Sequence, residues 1–269
     1  MAVNTDKNTY TILFAIIMVV VVGSLLAFTA SSLKPQIKEN QRMEKQQNIL
    51  YAMGVNENEG TGDITFVSTD KVANKFSTNI SEQLVLEYKD GKIINKMTRQ
   101  EFMDSKDDGK GMEPYLIDVK KQQTRAKEGK SRFLPLFVGT QEGETVYIAP
   151  IRGKGLWDAI WGFVALDKDM VVRGTFFDHA GETPGLGSNI KQRYFMDDFY
   201  GERLLTEAGV FKGINVAKGN NDPKNERKDD YAVDALAGAT ITGDGVSAMI
   251  KKDLKLYMPF FQELNTKLN

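Results

Sequence analysis

The sequence predicts an α+β protein: a single N-terminal transmembrane helix, then a soluble domain with a mostly antiparallel sheet flanked by helices. Three observations lead there. Residues 8–33 carry no charged side chain. Between residues 133 and 177, strand-like runs follow one another too closely for an intervening helix, which favours antiparallel pairing. From Val246 to Phe261, apolar residues recur at helical spacing.

Composition narrows the chemistry. The chain has 269 residues, enough to bury a core in one or two domains. Its net charge of −1 gives no electrostatic footprint for nucleic acid. It contains no Cys, which excludes Cys-ligated iron–sulfur clusters, cysteinyl flavin, thiolate zinc sites and disulfides. His179 is the only histidine, so neither a multi-His metal site nor bis-His haem ligation is available. Redox chemistry here needs an organic cofactor.

In chain order, Ile12 to Phe28 is almost wholly apolar and long enough to cross a bilayer once. A secretory signal peptide is the rival reading. The near absence of positive charge before the run, with Lys7 offset by Asp6, favours a retained anchor. From Lys34 a charged helical pattern either continues this helix or restarts after Pro35, and Gly54 ends it. Leu84, Leu86 and Tyr88 alternate before Asp90-Gly91, and Ile93 and Ile94 follow, which reads as a hairpin. Residues 100–132 read as a peripheral insertion with one short strand at Tyr115–Val119.

Strands are then predicted at Phe133–Val138, Thr145–Ile151, Ile160–Leu166 and Val171–Phe177. Turns are placed at Gly139–Gly143, Arg152–Gly155 and Asp167–Asp169. Ile190, Tyr194, Phe195 and Phe199 predict a helix from Asn189 to about Leu205. Phe211–Val216 reads as a strand and residues 218–230 as a solvated loop. The last helix ends near Asn265.

Three loops carry candidate chemistry, each with a plainer alternative. In Ile151–Trp157 the glycines let backbone approach a ligand and Trp157 can cover an aromatic ring; the alternative is a glycine turn capped by a core Trp. His179–Gly187 is either a functional loop or a surface turn with a structural His. In Asp234–Thr242 a turn of small residues feeds a helix, with Thr240 and Thr242 at its start. That end is either an ordinary helix start capped by Thr242, or a phosphate site with Thr240 as covalent acceptor. In the second reading Gly243 and Gly245 keep the approach open, and Asp244, a first-turn acid, turns to solvent.

Asp234, Gly238, Ala239 and Thr240 match the attachment pattern of the FMN-binding domain family of bacterial membrane redox complexes, with Ala237 where the pattern has Ser or Thr. The Gly153–Trp157 and His179–Gly187 segments resemble the same family, in the same order. The resemblance implies covalent FMN on Thr240 through a phosphoester. It places Trp157, Glu182, Thr183 and Leu186 beside the ring, with Glu182 able to tune the flavin potential. It places Leu236, Gly238 and Ala239 with Thr240 at the phosphate end, and it implies no catalytic residue and no metal. The chain divides into residues 1–33 with the membrane helix, 34–59 juxtamembrane, 60–132 as the N-terminal part of the soluble domain with the insertion, and 133–269, which the resemblance makes the FMN-binding domain. The resemblance further implies maturation by a separate flavin transferase. Electrons would pass between subunits of a sodium-translocating NADH:quinone reductase; an Rnf electron-transport complex and a flavin-binding membrane sensor are the alternatives. The extra material at 60–132 favours the first. No Gly-rich dinucleotide fingerprint follows an early strand, so NADH binding is not expected in this chain. Lys34, Lys38, Arg42 and Lys45 follow the membrane helix and by charge point to a cytoplasmic domain. The resemblance implies the periplasmic side of the inner membrane.

Overall fold

In the computed structural model, which describes residues 7–60, 62–105, 110–220 and 222–268, the charge-free run opens one continuous helix, α1 (Asn8–Ala52). Pro35 removes a backbone donor inside it without ending it. Helix α1 is long and apolar enough to cross a membrane. The chain divides into two units, Met1–Glu44 and Lys45–Asn269. In the first, residues 8–41 are exposed. In the second, the end of α1 buries Ile49, Leu50 and Ala52. The amides of Gly54 and Val55 donate to the carbonyls of Tyr51 and Leu50 at 2.9 Å each, with Gly54 at φ +80°. This Schellman arrangement is the helix stop predicted at Gly54.

Helix α2 (Thr69–Asn79) has no counterpart in the sequence reading, because Val72 and Phe76 are too short a stripe to stand out among its charges. Strands β1 (Ile80–Lys89) and β2 (Lys92–Thr98) form the predicted hairpin. Asp90 and Gly91 both have positive φ, 49° and 84°, the geometry that matches strand twist in a two-residue turn. Helix α3 (Arg99–Asp104) starts from a capping box between Thr98 and Glu101.

The strand expected at Tyr115–Val119 is absent. Pro114–Leu116 is a 3₁₀ turn, and Asp118 caps α4 (Val119–Lys127), its carboxylate accepting from the amides of Lys120 and Lys121. Nor is the stretch peripheral: Phe102 and Ile117 join Val85, Met97 and Phe133 in one buried cluster.

The next four strands form as predicted, somewhat longer: β3 (Arg132–Gln141), β4 (Glu144–Lys154), β5 (Ala159–Leu166) and β6 (Val172–His179). They complete a six-stranded antiparallel sheet of order β2-β1-β3-β4-β5-β6. The sheet therefore runs across residue 133 without a break. Gly139 lies within β3 rather than in a turn; a Cβ there would come within 2.7 Å of the Asn79 carbonyl and of Met53.

The helix predicted from Asn189 to Leu205 is broken. A 3₁₀ turn (Gly187–Lys191) leads to α5 (Arg193–Asp197), and then the chain returns to the sheet. Val172 and Glu202 tie the two together: the Val172 amide donates to the Glu202 carbonyl at 2.9 Å, and the Gly201 amide to the Val172 carbonyl at 2.8 Å. The apolar period was real, since Ile190, Phe195 and Phe199 are buried. Gly201, at φ +82°, ends it. The strand predicted at Phe211–Val216 shrinks to β7 (Asn215–Val216), which pairs in parallel with β8 (Ala232–Val233).

Helix α6 (Thr240–Met249) passes through a π turn (Ile250–Leu254) and a 3₁₀ turn into α7 (Met258–Leu268). Val246, Met249, Ile250, Leu254, Tyr257 and Phe261 are buried as the spacing predicts. This arm covers one sheet face. A Cβ on Gly153 of β4 would lie 2.8 Å from Met249, and Tyr147 packs on Phe260 and Phe261 with ring centroids 5.6 and 5.4 Å away. Gly174 of β6 approaches the Ala52 carbonyl, so the end of α1 covers the opposite face.

One buried acid stands apart from this packing. Glu202 is 0% exposed, with the Lys228 ammonium 3.8 Å from a carboxylate oxygen. Burial pushes its pKa up to about 7, although Lys228 works the other way. A carboxyl raised above its unfolded value stabilises the fold when protonated, and that contribution is lost as pH rises from about 4.5 toward 7. Glu202→Gln should remove the slope and raise stability above pH 7 by roughly 3 kcal/mol, read from urea unfolding at pH 5 and pH 8.

Candidate functional site

The three loops meet at one end of the sheet. The β4–β5 connection is closed by the Gly155 amide donating to the Asp158 carbonyl at 2.8 Å. That bend aims the amides of Leu156, Trp157 and Asp158 at one point. Glu182 occupies it: its carboxylate accepts from those amides at 3.3, 3.0 and 3.4 Å. Three consecutive amides of this kind form an anion nest. The fourth partner is Thr242, whose hydroxyl donates to Glu182 Oε2 at 2.6 Å. Burial alone would raise the Glu182 pKa, but the bonds from Thr242, Trp157, Asp158 and Leu156 outweigh it and hold the carboxyl below its usual range. Gly155 and Gly187 make this possible, since a Cβ on either would lie 2.5 Å from a carboxylate oxygen.

The loop after β6 is ordered by Thr183-Pro184-Gly185-Leu186, with the Leu186 amide donating to the Thr183 carbonyl and Gly185 at φ +76°. Pro then Gly at those places is the type II pattern. Thr183 accepts from the Trp157 indole N–H at 3.1 Å. His179 is structural in this arrangement: its Nδ1 accepts from the Glu182 amide at 3.2 Å, so that nitrogen carries no proton, and burial lowers its pKa.

The turn that leads into α6 differs from the sequence expectation. Helix α6 starts at Thr240 with Ala239 as N-cap, not with Thr242. Thr242 is the third helical residue and 1% exposed. Gly243 and Gly245 do not open an approach; they let the helix press on its neighbours. A Cβ on Gly243 would lie 2.9 Å from Val216, and one on Gly245 2.4 Å from the Lys154 carbonyl. Asp244 is exposed as expected but lies beyond the first turn, which carries no acid.

Thr240 itself is exposed, as are Trp157, Thr183, Leu186 and Gly238. Leu186 rests against Gly238, where an added Cβ would come within 2.8 Å of it. Glu182, at 4% exposure, lies beneath this surface rather than on it. Leu236 and Ala239 are buried, leaving backbone as their route to a ligand. Trp157 is 66% exposed and Ile241 57%, so the joined loops carry an apolar shelf open to solvent; Leu156 and Ile241 belong to it, and both lie within segments singled out from the sequence though neither is marked there individually. No group of three or more metal-ligating side chains occurs among the described residues.

These features fit a flavin mononucleotide. The first turn of α6 has no side-chain cap and no acidic residue of its own, and its carboxylate neighbour, Glu182, is buried at the third residue and already filled by four donors, so the amides at the tip remain open to an anion. The exposed apolar shelf suits a flat aromatic ring. A flavin-carrying domain behind a helix long enough to cross a membrane is thus the class this fold and site define, and residues 155–255 match the FMN-binding domain family. The C subunit of the Na(+)-translocating NADH-quinone reductase from Yersinia pestis is 30% identical over 250 residues, covering 90% of this chain and 87% of that protein. Its counterpart from Pseudomonas aeruginosa is 28% identical over 92% of this chain and 91% of its own length. The crystal structure of the C subunit from Parabacteroides distasonis superposes with a TM-score of 0.64 at 28% identity, over 85% of this chain and 96% of that one. The chain belongs to the NqrC family, the C subunits of these reductases: it is a flavoprotein subunit of an oxidoreductase complex, and FMN is its cofactor.

Gly187→Ala places a methyl 2.5 Å from Glu182 Oε2 and 2.6 Å from Thr242 Oγ1. It should destabilise the domain by about 1–3 kcal/mol, measured as a fall in the denaturant midpoint, whereas Gly185→Ala, with open space around it, should act only through its positive φ.

Proposed function

We propose that this chain carries FMN on Thr240 through a phosphoester and relays electrons between partner subunits of the sodium-translocating NADH:quinone reductase, which couples NADH oxidation and quinone reduction to sodium export. The observation that carries the attachment site is the contrast between two hydroxyls. Thr240 is exposed at an uncapped helix start, while the Thr242 hydroxyl is buried and already bonded to Glu182. The Thr240 oxygen attacks the flavin-side phosphorus of a flavin dinucleotide donor, the phosphoanhydride bond breaks, and the nucleoside monophosphate leaves while the hydroxyl proton is released, so the protein gains FMN less one water. A threonine hydroxyl is a weak nucleophile unaided, so a separate flavin transferase performs the step.

FMN when bound supplies one- and two-electron chemistry. The chain's own residues hold and present it. Trp157, Leu186 and Ile241 offer apolar surface to the ring, and the first-turn amides of α6 receive the phosphate. The shelf is open, which suits a ring that must meet redox centres of other subunits. Glu182, having filled its lone pairs elsewhere, acts from below. The soluble domain is placed on the periplasmic side of the inner membrane, against the charge bias of Lys34, Lys38, Arg42 and Lys45; long domains translocate despite such charge. The FMN-binding segment is taken as residues 133–269, resting on the strands contributed by residues 80–98.

Thr240→Ala should abolish flavin fluorescence that survives denaturing electrophoresis after co-expression with a flavin transferase. Full fluorescence in that variant would refute the assignment.

A further inference from the structure

We propose that Thr242 and Glu182 form a positioning lock that presents Thr240 for flavin attachment, an inference that rests on Thr240 being the acceptor. Successive residues of an α-helix are rotated by about 100°, so Thr240 and Thr242 point roughly 200° apart. Fixing one inward fixes the other outward. The lock is the 2.6 Å bond from the Thr242 hydroxyl to Glu182, across 60 residues of sequence. Glu182 is itself immobilised by the amides of Leu156, Trp157 and Asp158, and by its own amide on His179. The first turn of α6 is thereby bolted to the β4–β5 connection that carries Trp157. No side chain caps that turn, and its N-cap is Ala239. An uncapped helix end frays unless something else holds it. Here the holding contact comes from inside the helix, at its third residue, and leaves the amides at the tip clear.

The arrangement also explains why a threonine stands at position 242 when it is neither N-cap nor acceptor. Valine has its shape but no proton to donate, and would leave a buried carboxylate oxygen short of a partner. Serine keeps the donor. The lock makes Thr242 and Glu182 positioning residues, and it predicts that they work as one unit.

The test uses the full-length chain in detergent, with a purified flavin transferase and its flavin-nucleotide donor. Attachment is followed in time by intact mass, on the fraction that elutes as folded protein. Thr242→Val should slow attachment at least tenfold while Thr242→Ser stays within twofold of the unmodified chain. Glu182→Gln should slow it at least tenfold as well. The double variant Thr242→Val/Glu182→Gln should be no slower than the slower single, because the two act through one contact. Attachment to Thr242→Val at the unmodified rate would overturn the lock, as would full additivity in the double variant. Should Glu182→Gln fail to fold, the Thr242 pair decides alone, since valine and serine both fit the site. An adduct mapped to a residue other than Thr240 in the unmodified chain would overturn the acceptor assignment itself, and is read from that chain before any variant.

Discussion

A carboxylate taken out of water is strongly unfavourable unless its lone pairs are filled. Glu182 meets that constraint with backbone amides and a hydroxyl rather than with a cation, drawing donors from two chain segments and tying both to its own. Leu156–Asp158 must bend to aim its amides, the loop after β6 must bring Glu182 under that bend, and α6 must lie close enough for Thr242 to reach. Hydrogen bonds to a charged acceptor contribute about 1.5–3 kcal/mol each. The apolar shelf proposed to receive the flavin ring lies on the outside of this arrangement.

Close packing of α6 follows from the same requirement. The helix reaches Glu182 because glycines on both sides let it pack closely on the sheet face and on β7. Gly153 under Met249, Gly245 over the Lys154 carbonyl and Gly243 against Val216 mark those contacts. Further along, the π turn at Ile250–Leu254 changes the helical phase. Asp253 then points inward, accepting from the Arg152 amide at 2.8 Å and pairing with buried Arg132 at 3.7 Å. Phe260 and Phe261 close the arm over Tyr147.

Local signals are legible in the sequence where strands and turns are short-range. The strands from residue 132 to 179 alternate clearly and are separated by turns with glycine or Asp, and Asp90-Gly91 dictates its hairpin. The helix predicted to Leu205 is interrupted at extended Gln192 and ends at Asp197, and beyond it the backbone of Gly201 and Glu202 bonds to Val172, a non-local pairing that the sequence spacing does not reveal. Tyr115–Val119 looked like a strand because capping by Asp118 is hard to tell from an ordinary polar break. At the site, the three loops were visible through their glycines and their family pattern. Thr242 reads as a cap because a threonine near a helix start ordinarily is one; its bond to Glu182 spans 60 residues and leaves no local trace. The burial of Glu182 was hidden too, since the nest that holds it is made of backbone.

The central claim is that the flavin hangs from the exposed hydroxyl of a helix whose other threonine is tied inward. Tandem mass spectrometry of the tryptic peptide that contains Asp234–Lys251, taken from the natively matured protein, tests this most directly. The account predicts a single adduct of FMN less one water, with fragment ions placing it on Thr240. An adduct on Thr242, or flavin released intact on denaturation with an unmodified peptide, would contradict it.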